Sequence, residues 1–296
     1  MKLLFIFLAL ALLWPLSSAS AQANPPYFKT RVGDLEVIAL SDATSRMGFD
    51  LLIGLDSPGA AAAAKASGLN PDDKSFPGFV NVFLVKIKDN LVLIDTGNGP
   101  QSGLSAALEA AGVKREDIKY VFLTHFHGDH IGGLIDQLGQ AAFKNAKVYA
   151  SKLEDEYWLS AEAPFERRKR AEKALAPYKE AGKYIKFNEG ETIESFVSFT
   201  PLYGHTPGHG GYLFESGGES LLVWGDIVHV KYVQFANPAV SLTYDIDPIK
   251  AAQTRNSIME KLSDQKNVVV AGTHLPFPGL GRVVKTNKAF DFEFIN

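Results

Sequence analysis

The 296-residue chain is 46% hydrophobic, and 30 basic against 33 acidic residues leave a formal net charge of −3. That balance argues against a nucleic-acid partner, which would select for a basic face, while the length suits one large α/β domain with a substantial core. With no cysteine, the chain can form no disulfide and offer no thiolate to a metal.

Lys2 precedes an apolar run from Leu3 to Leu16, and Ala19-Ser20-Ala21 forms a small-x-small cleavage site. Residues 1–21 are therefore expected to be a signal peptide that is removed, leaving 22–296 as the mature domain. The run is too short for a membrane span, and Pro15 interrupts it. No twin arginine is present, so the general secretory route is expected. The lack of cysteine also rules out an N-terminal lipid anchor. The mature chain is then periplasmic or secreted and free of the membrane. Loss of Lys2 leaves 29 basic against 33 acidic residues, a net charge of −4.

Tyr27 to Leu40 alternates as two strands around Gly33-Asp34. Gly48 to Lys74, with Ala60 to Ala64 and several Gly, Ser and Pro breaks, predicts a loop with a short helix, either near a site mouth or as a plain surface connection. Phe79 to Ile87 and Asn90 to Ile94 predict a hairpin. Asp95-Thr96-Gly97 follows the second strand. Ser102 to Ala111 predicts a helix with Ser102 as cap and Gly112 as stop. Tyr120 to Leu123 is a short buried strand, Lys147 to Ala150 another, and a helical stretch begins at Lys152. Arg167-Arg168-Lys169-Arg170 lies among Glu162, Glu166 and Glu172, a pattern that favours a solvated helix face. From Ile185 strands return, followed by a helix over Ile249 to Leu262 and a strand over Val268 to Val270.

The strand Tyr120 to Leu123 runs into Thr124-His125-Phe126-His127-Gly128-Asp129-His130, with three imidazoles and a carboxylate inside six residues. Extended alternation sends His125 and His127 to one side, while Asp129 and His130 lie on the turn beyond. Imidazole nitrogen and carboxylate oxygen are the donors a divalent metal takes in a cysteine-free site. All seven histidines, 125, 127, 130, 205, 209, 229 and 274, fall in or beside such motifs. A chain using histidine only for packing would not concentrate it so.

His-x-His-x-Asp-His after a strand resembles the metallo-β-lactamase-fold hydrolases. So do Asp95-Thr96-Gly97, Gly204-His205-Thr206-Pro207-Gly208-His209, Gly225-Asp226 and His274-Leu275-Pro276. The likeness covers nearly the whole mature chain and is strongest to the methyl parathion hydrolase and quorum-quenching lactonase branch. It implies a single-domain α/β fold, a four-layer αβ/βα sandwich. It also implies two divalent metal ions. His125, His127 and His205 would hold the first, Asp129, His130 and His274 the second, and Asp226 would bridge them. Asp95 would organise the ligand loops from below, and His209 would stand behind the ligands, although His209 in place of His205 is an open alternative. Zinc is the expected metal, with manganese, iron and cobalt as alternatives.

A bridging aspartate sets the chain apart from true β-lactamases and, by resemblance, points to lactones, phosphotriesters and thioesters attacked by a metal-bridging hydroxide. Asp129 and His229 are the expected catalytic side chains. His229 occupies the offset from Asp226 where lactonases carry a tyrosine and methyl parathion hydrolase an apolar residue, so it could donate to an oxyanion or protonate a leaving group. Phe126, Trp158, Phe165, Phe235 and Phe277 are candidates for an apolar substrate pocket. The leading expectation is an exported lactonase-like hydrolase with promiscuous phosphotriesterase or arylesterase activity. An organophosphate hydrolase is the alternative, and a non-catalytic periplasmic zinc-binding module is a third. A small molecule is the expected partner, with a homodimer as the one protein assembly considered.

Overall fold

Apolar residues alternate along Tyr27–Val32, Leu35–Gly48, Ser75–Ile87 and Asn90–Ile94, and period-two alternation gives each strand one face for each side of a sheet. A computed structural model describes residues 25–56, 60–66, 68–69, 74–287 and 289–295, so the expected signal peptide lies outside the described residues. The four strands pair antiparallel, then continue in parallel through Tyr120–Leu123, Lys147–Ser151 and Tyr184–Phe187 as one seven-stranded sheet. A second sheet of six strands runs Phe290–Phe294, Leu280–Lys285, Val268–Ala271, Glu219–Val223, Gly210–Ser216 and Ser198–Pro201 in spatial order.

The inner faces of the two sheets bury one shared cluster, with Val37, Val85, Val92 and Phe122 meeting Tyr212, Phe214, Val223 and Val269. Val121 and Leu123 point the other way, into a layer formed with helices Leu104–Ala110, Lys152–Trp158 and Phe165–Glu180. Helix Pro248–Ser263 covers the outer face of the second sheet through Ile258, Met259 and Leu262. The order helix, sheet, sheet, helix is the expected four-layer sandwich, in one domain. Phe122 stacks on Tyr212 across the central layer at 5.0 Å, and truncating such a buried ring costs about 3–5 kcal/mol.

Five loops leave the carboxyl ends of Asn90–Ile94, Tyr120–Leu123, Ser198–Pro201, Glu219–Val223 and Val268–Ala271. They carry Asp95, His125 to His130, His205, Asp226 and His274 respectively. Ligand-binding side chains gather at this end of strands because the loops there are free to vary while the sheet holds them in place.

Some elements depart from the sequence expectation. Leu35–Gly48 and Ser75–Ile87 extend beyond their alternating cores and pair across a register shift at Ser41/Ala43. Ser102 does not cap the helix, which begins after Gly103. Instead Asp42 binds that turn, accepting from Ser102 Oγ and from the Leu104 amide at 3.0 Å. Within the stretch from 48 to 74, Leu52 and Ala64 join Phe76, Val230, Val233 and Leu242 in a small cluster of their own. This buttresses the short helix Lys231–Gln234 just after His229. Among the described residues no helix is long and apolar enough to cross a membrane.

Candidate metal centre

His127 has extended backbone and begins a one-turn helix, Gly128–Ile131, that turns Asp129 and His130 back toward the strand end. The turn packs tightly against the loop after Asp95. A Cβ on Gly132 would lie 2.2 Å from the Asn98 carbonyl, and one on Gly133 would lie 2.1 Å from that of Thr96. Asp95 itself adopts φ +62, a left-handed conformation that costs free energy for any residue but glycine. Its amide is held by the Phe122 carbonyl at 2.9 Å.

Two groups of donors result, and Asp226 stands between them. His125, His127, His205 and Asp226 form one, and Asp129, His130 and His274 the other. In the first, His127 Nδ1 lies 3.0 Å from His125 Nε2 and 2.9 Å from His205 Nε2. Asp226 Oδ2 lies 3.2 Å from His205 Nε2 and 3.0 Å from His274 Nε2, while Oδ1 is 3.2 Å from His130 Nε2. Asp129 Oδ2 is 3.5 Å from His274 Nε2 and 3.8 Å from His130 Nε2.

The tautomers follow from what lies behind each ring. His130 Nδ1 meets Asp95 Oδ2 at 2.8 Å, His205 Nδ1 meets Asp245 Oδ1 at 2.7 Å, and His274 Nδ1 meets the Phe79 carbonyl at 2.6 Å. Each of these partners only accepts, so Nδ1 carries the proton and the Nε2 lone pair faces the cluster. Lone pairs at 3 Å from one another or from a carboxylate repel unless a cation lies among them. Of the atoms that face the cluster, His130 Nε2 and Asp226 Oδ1 are buried and have no hydrogen-bond partner among the described residues. Buried polar atoms are almost always satisfied. A divalent cation fits this donor set, because lone pairs converge and protons cannot serve them all.

Without a cation the electrostatics divide the rings: burial opposes charge on His130 and His274, but neighbouring carboxylates, Asp226 foremost, outweigh it and favour the protonated rings, so a cation would displace those protons. Burial pushes the His125 and His127 rings well below the usual imidazole range. Burial also opposes charge on His205, but bonds to Asp226 and Asp245 outweigh it and raise the ring to about 9. Burial would raise the Asp226 carboxyl, yet the surrounding rings, His130 foremost, hold it well below its ordinary value. The site thus keeps an anion buried among imidazoles, as cation binding requires.

His209 is settled by its neighbours. Its Nε2 accepts the Asp226 amide at 2.9 Å, so its Nδ1 must donate to the Leu202 carbonyl at 2.8 Å. Both nitrogens are occupied by backbone, and burial drives the ring down to about 3. His205, not His209, faces the other donors.

A family model described as the metallo-beta-lactamase superfamily matches residues 75–274. The chain belongs to that superfamily. It is 32% identical over 160 residues to the YobT protein of Bacillus subtilis (strain 168), a match covering 51% of this chain and 63% of that one. The chain spans less than two thirds of the length of the first such relatives it matches. Among solved structures it superposes on a hydrolase of the β-lactamase superfamily, AbOPH, with TM-score 0.84 at 32% identity, covering 92% of this chain and 98% of that one. It also superposes on AidC, a dizinc quorum-quenching lactonase, with TM-score 0.79 at 28% identity, covering 91% and 97%. The His/Asp cluster of this superfamily member fits a divalent metal.

As a superfamily member the chain departs from expectation chiefly in its cavity. A space of about 390 Å³ opens over the cluster, lined by His127, Asp129, His205, Asp226, His229 and His274. Of the five expected aromatics, only Phe126 lines it. Trp158 is fully buried behind His127, with ring centroids 5.2 Å apart. Phe235 packs in the outer core against Trp224 and Phe292, and Phe277 packs against the inter-sheet core. Phe165 is 53% exposed beneath Lys169. The apolar lining comes instead from Met47, Phe79 and Val80 on strands and Tyr244 in a turn, none of which periodicity marks as a wall. The basic run is a second correction. Arg167, Lys169 and Arg170 are exposed as expected and Arg168 is half-buried, but Arg167 and Arg170 also line the cavity.

His229 lines the cavity too, with Nε2 3.1 Å from Asp226 Oδ2 and its ring stacked on His274 at 4.7 Å. Burial lowers it to about 4, and its amide is fixed by Gln234 Oε1 at 2.7 Å. Asp226, His229 and His274 form a third donor group that the sequence reading did not foresee. Also unforeseen are Asp245 and Glu154. The Glu154 carboxylate accepts from the Phe126 amide at 2.9 Å and Trp158 Nε1 at 2.5 Å with one oxygen. The other oxygen accepts from Thr206 Oγ1 at 2.7 Å and the Gly208 amide at 2.9 Å. It ties the two histidine loops together.

Proposed function

We propose that the chain is an exported hydrolase that holds two divalent cations, zinc foremost, and opens lactones and esters, with phosphotriesters as secondary substrates. One observation carries this: a single buried carboxylate, Asp226, stands at hydrogen-bond distance from rings of both donor groups. His125, His127 and His205 would hold one cation with Asp226, and Asp129, His130 and His274 the other. A bound pair would supply a water acidified to hydroxide near neutral pH and a Lewis acid for the carbonyl or phosphoryl oxygen.

The chain's own residues do the rest. Asp95, Asp245 and the Phe79 carbonyl fix three rings so that no reorganisation is needed when charge develops. Asp129, 29% exposed at its side chain, presents the most open carboxylate of the centre to the cavity. His229 is held neutral, with an N–H to give to oxygen. Phe126, Phe79, Val80 and Met47 exclude water from one wall and suit an apolar acyl or aryl group. The likeness to AidC supports the lactonase reading.

The test is a panel of lactones, aryl esters, phosphotriesters and a cephalosporin, assayed with metal-reconstituted protein. Lactones or esters turned over fastest, with activity abolished by a chelator, is the expected result. A phosphotriester turned over much faster than any lactone would replace this reading with an organophosphate hydrolase. Two metals bound with no hydrolysis of any substrate would leave only the binding module.

A further inference from the structure

The sequence pattern assigns Arg167-Arg168-Lys169-Arg170 to a solvated helix face, but two of the four are otherwise engaged. Arg167 and Arg170 sit three apart on helix Phe165–Glu180, a spacing that places side chains on one face. Both line the cavity over the metal centre. Among the described residues neither makes a hydrogen bond or an ion pair, whereas Arg168 pairs with Glu172 at 3.8 Å and Lys169 lies over the Phe165 ring. Asp129 shares the cavity with them and still pairs with neither. Arg170 is seated in a cradle: a Cβ on Gly128 would lie 2.1 Å from its Nη1, so the guanidinium lies directly on the backbone between His127 and Asp129.

The position of Arg167 along the helix is unfavourable. The first turn carries the positive end of the helix dipole, where acidic side chains are favoured and a cation such as Arg167 disfavoured. Both guanidinium groups are exposed where they border the cavity, so an anion entering it meets two cations that no protein carboxylate neutralises. The cavity lining also includes the apolar Met47, Phe79 and Val80.

We propose that Arg167 and Arg170 bind an anionic oxyacid group, carboxylate or phosphate, that the substrate carries away from its scissile bond. The inference rests on the hydrolase reading and narrows it: the substrate is an ester or lactone with an apolar body and one anionic end. Guanidinium forks match either oxyanion in two-point fashion, which an ammonium cannot do. The anionic group is unchanged by the reaction, which adds water across the ester alone.

The experiment uses three esters of one size: 4-nitrophenyl hemisuccinate, 4-nitrophenyl 3-phosphonopropionate and the neutral methyl ester of the hemisuccinate. Metal-replete wild type, Arg167→Met, Arg170→Met and the double variant are compared, with metal content measured for each. The expected result is that wild type prefers at least one anionic ester in kcat/KM. The double variant should lower the anionic-to-neutral ratio on the order of 10-fold or more, mainly through KM. Which anionic ester is preferred distinguishes carboxylate from phosphate. The double lysine variant should recover part of the ratio, and rising salt should erode it in wild type. In parallel, succinate and 3-phosphonopropionate are titrated calorimetrically into chelator-treated protein, where at least one should bind wild type more tightly than the double methionine variant. A ratio the double variant leaves unmoved overturns the proposal. If wild type hydrolyses none of these esters and none of the lactone, aryl ester and phosphotriester panel, the hydrolase reading fails; if it hydrolyses none of these esters, the calorimetry alone decides on the arginines.

Discussion

Glu154 offers the sharpest test of how the centre is held. Its carboxylate is buried and receives four hydrogen bonds, from Phe126, Trp158, Thr206 and Gly208. Burial pushes its pKa up while the four donors pull it down. A protonated Glu154 could give its O–H only to Thr206 Oγ1, since the other three groups only donate, so the ionised form suits the geometry best. In Glu154→Gln one face of the amide keeps the Phe126 and Trp158 donors. The NH₂ then faces Thr206, whose hydroxyl can rotate to accept, and Gly208, whose amide cannot. One buried N–H is left unmade, at about 1–3 kcal/mol. For a domain of this size each kcal/mol lowers Tm by roughly 2–4 °C, so a loss near 2 kcal/mol predicts roughly 4–8 °C. Glu154→Ala strands all four donors and should cost at least twice as much. Because the bonds join the loop of His125 to the loop of His205, metal affinity should also fall, by about 10–100-fold for a lost orienting partner. Thermal unfolding of chelated protein gives the first quantity, and competition with a chromogenic chelator gives the second. A Gln variant with wild-type Tm and wild-type metal affinity would refute the reasoning, since the four bonds would then hold nothing.

Elemental analysis of gently purified, metal-replete protein should find two divalent ions per chain, and one or fewer would contradict the shared role of Asp226. Asp226→Ala should lose most bound metal and activity together, because two cations a few Å apart lose their common anion. β-Lactam hydrolysis should be weak or absent, and a cephalosporin turned over as fast as the best lactone would overturn that. His229→Ala should retain metal but slow lactone opening by an amount worth about 2.7–4 kcal/mol in the barrier, with partial rescue by His229→Tyr. Loss of metal in the alanine variant would instead place His229 among the ligands, beside Asp226 and His274.

The donors of the centre were legible because metal chemistry leaves a dense local signal. His125, His127, Asp129 and His130 are consecutive enough to be seen without a fold, and the core strands declare themselves by alternation and β-branched runs. The cavity was not legible. Trp158 and Phe235 look like pocket aromatics along the chain, but a ring beside a ligand can as easily pack behind it. Here Trp158 supports His127 from the core side. Arg167 and Arg170 misled in the opposite sense. Local acid partners predict a solvated face, and Arg167 and Arg170 are indeed exposed, but that face borders the cavity, which the pattern of charges along the chain does not show.

What the sequence conceals most completely is the layer that decides which ring nitrogen faces the centre. Asp95 is separated from His130 by 35 positions, Asp245 from His205 by 40, and Phe79 from His274 by 195. No spacing rule joins such pairs, because each is made by segments that only the folded sheets and loops bring together. Their effect is nevertheless decisive. A neutral imidazole has one lone pair, and an acceptor behind Nδ1 commits it to Nε2. Swapping that acceptor for an apolar group would free the ring to turn its proton inward, where it would compete with a cation for the same position. His209 shows the opposite outcome on the same loop as His205. Backbone groups occupy both of its nitrogens, and it cannot reach the centre however well its motif fits. The choice between two histidines four residues apart is therefore made by Asp245, the Leu202 carbonyl and the Asp226 amide, not by the motif that contains them.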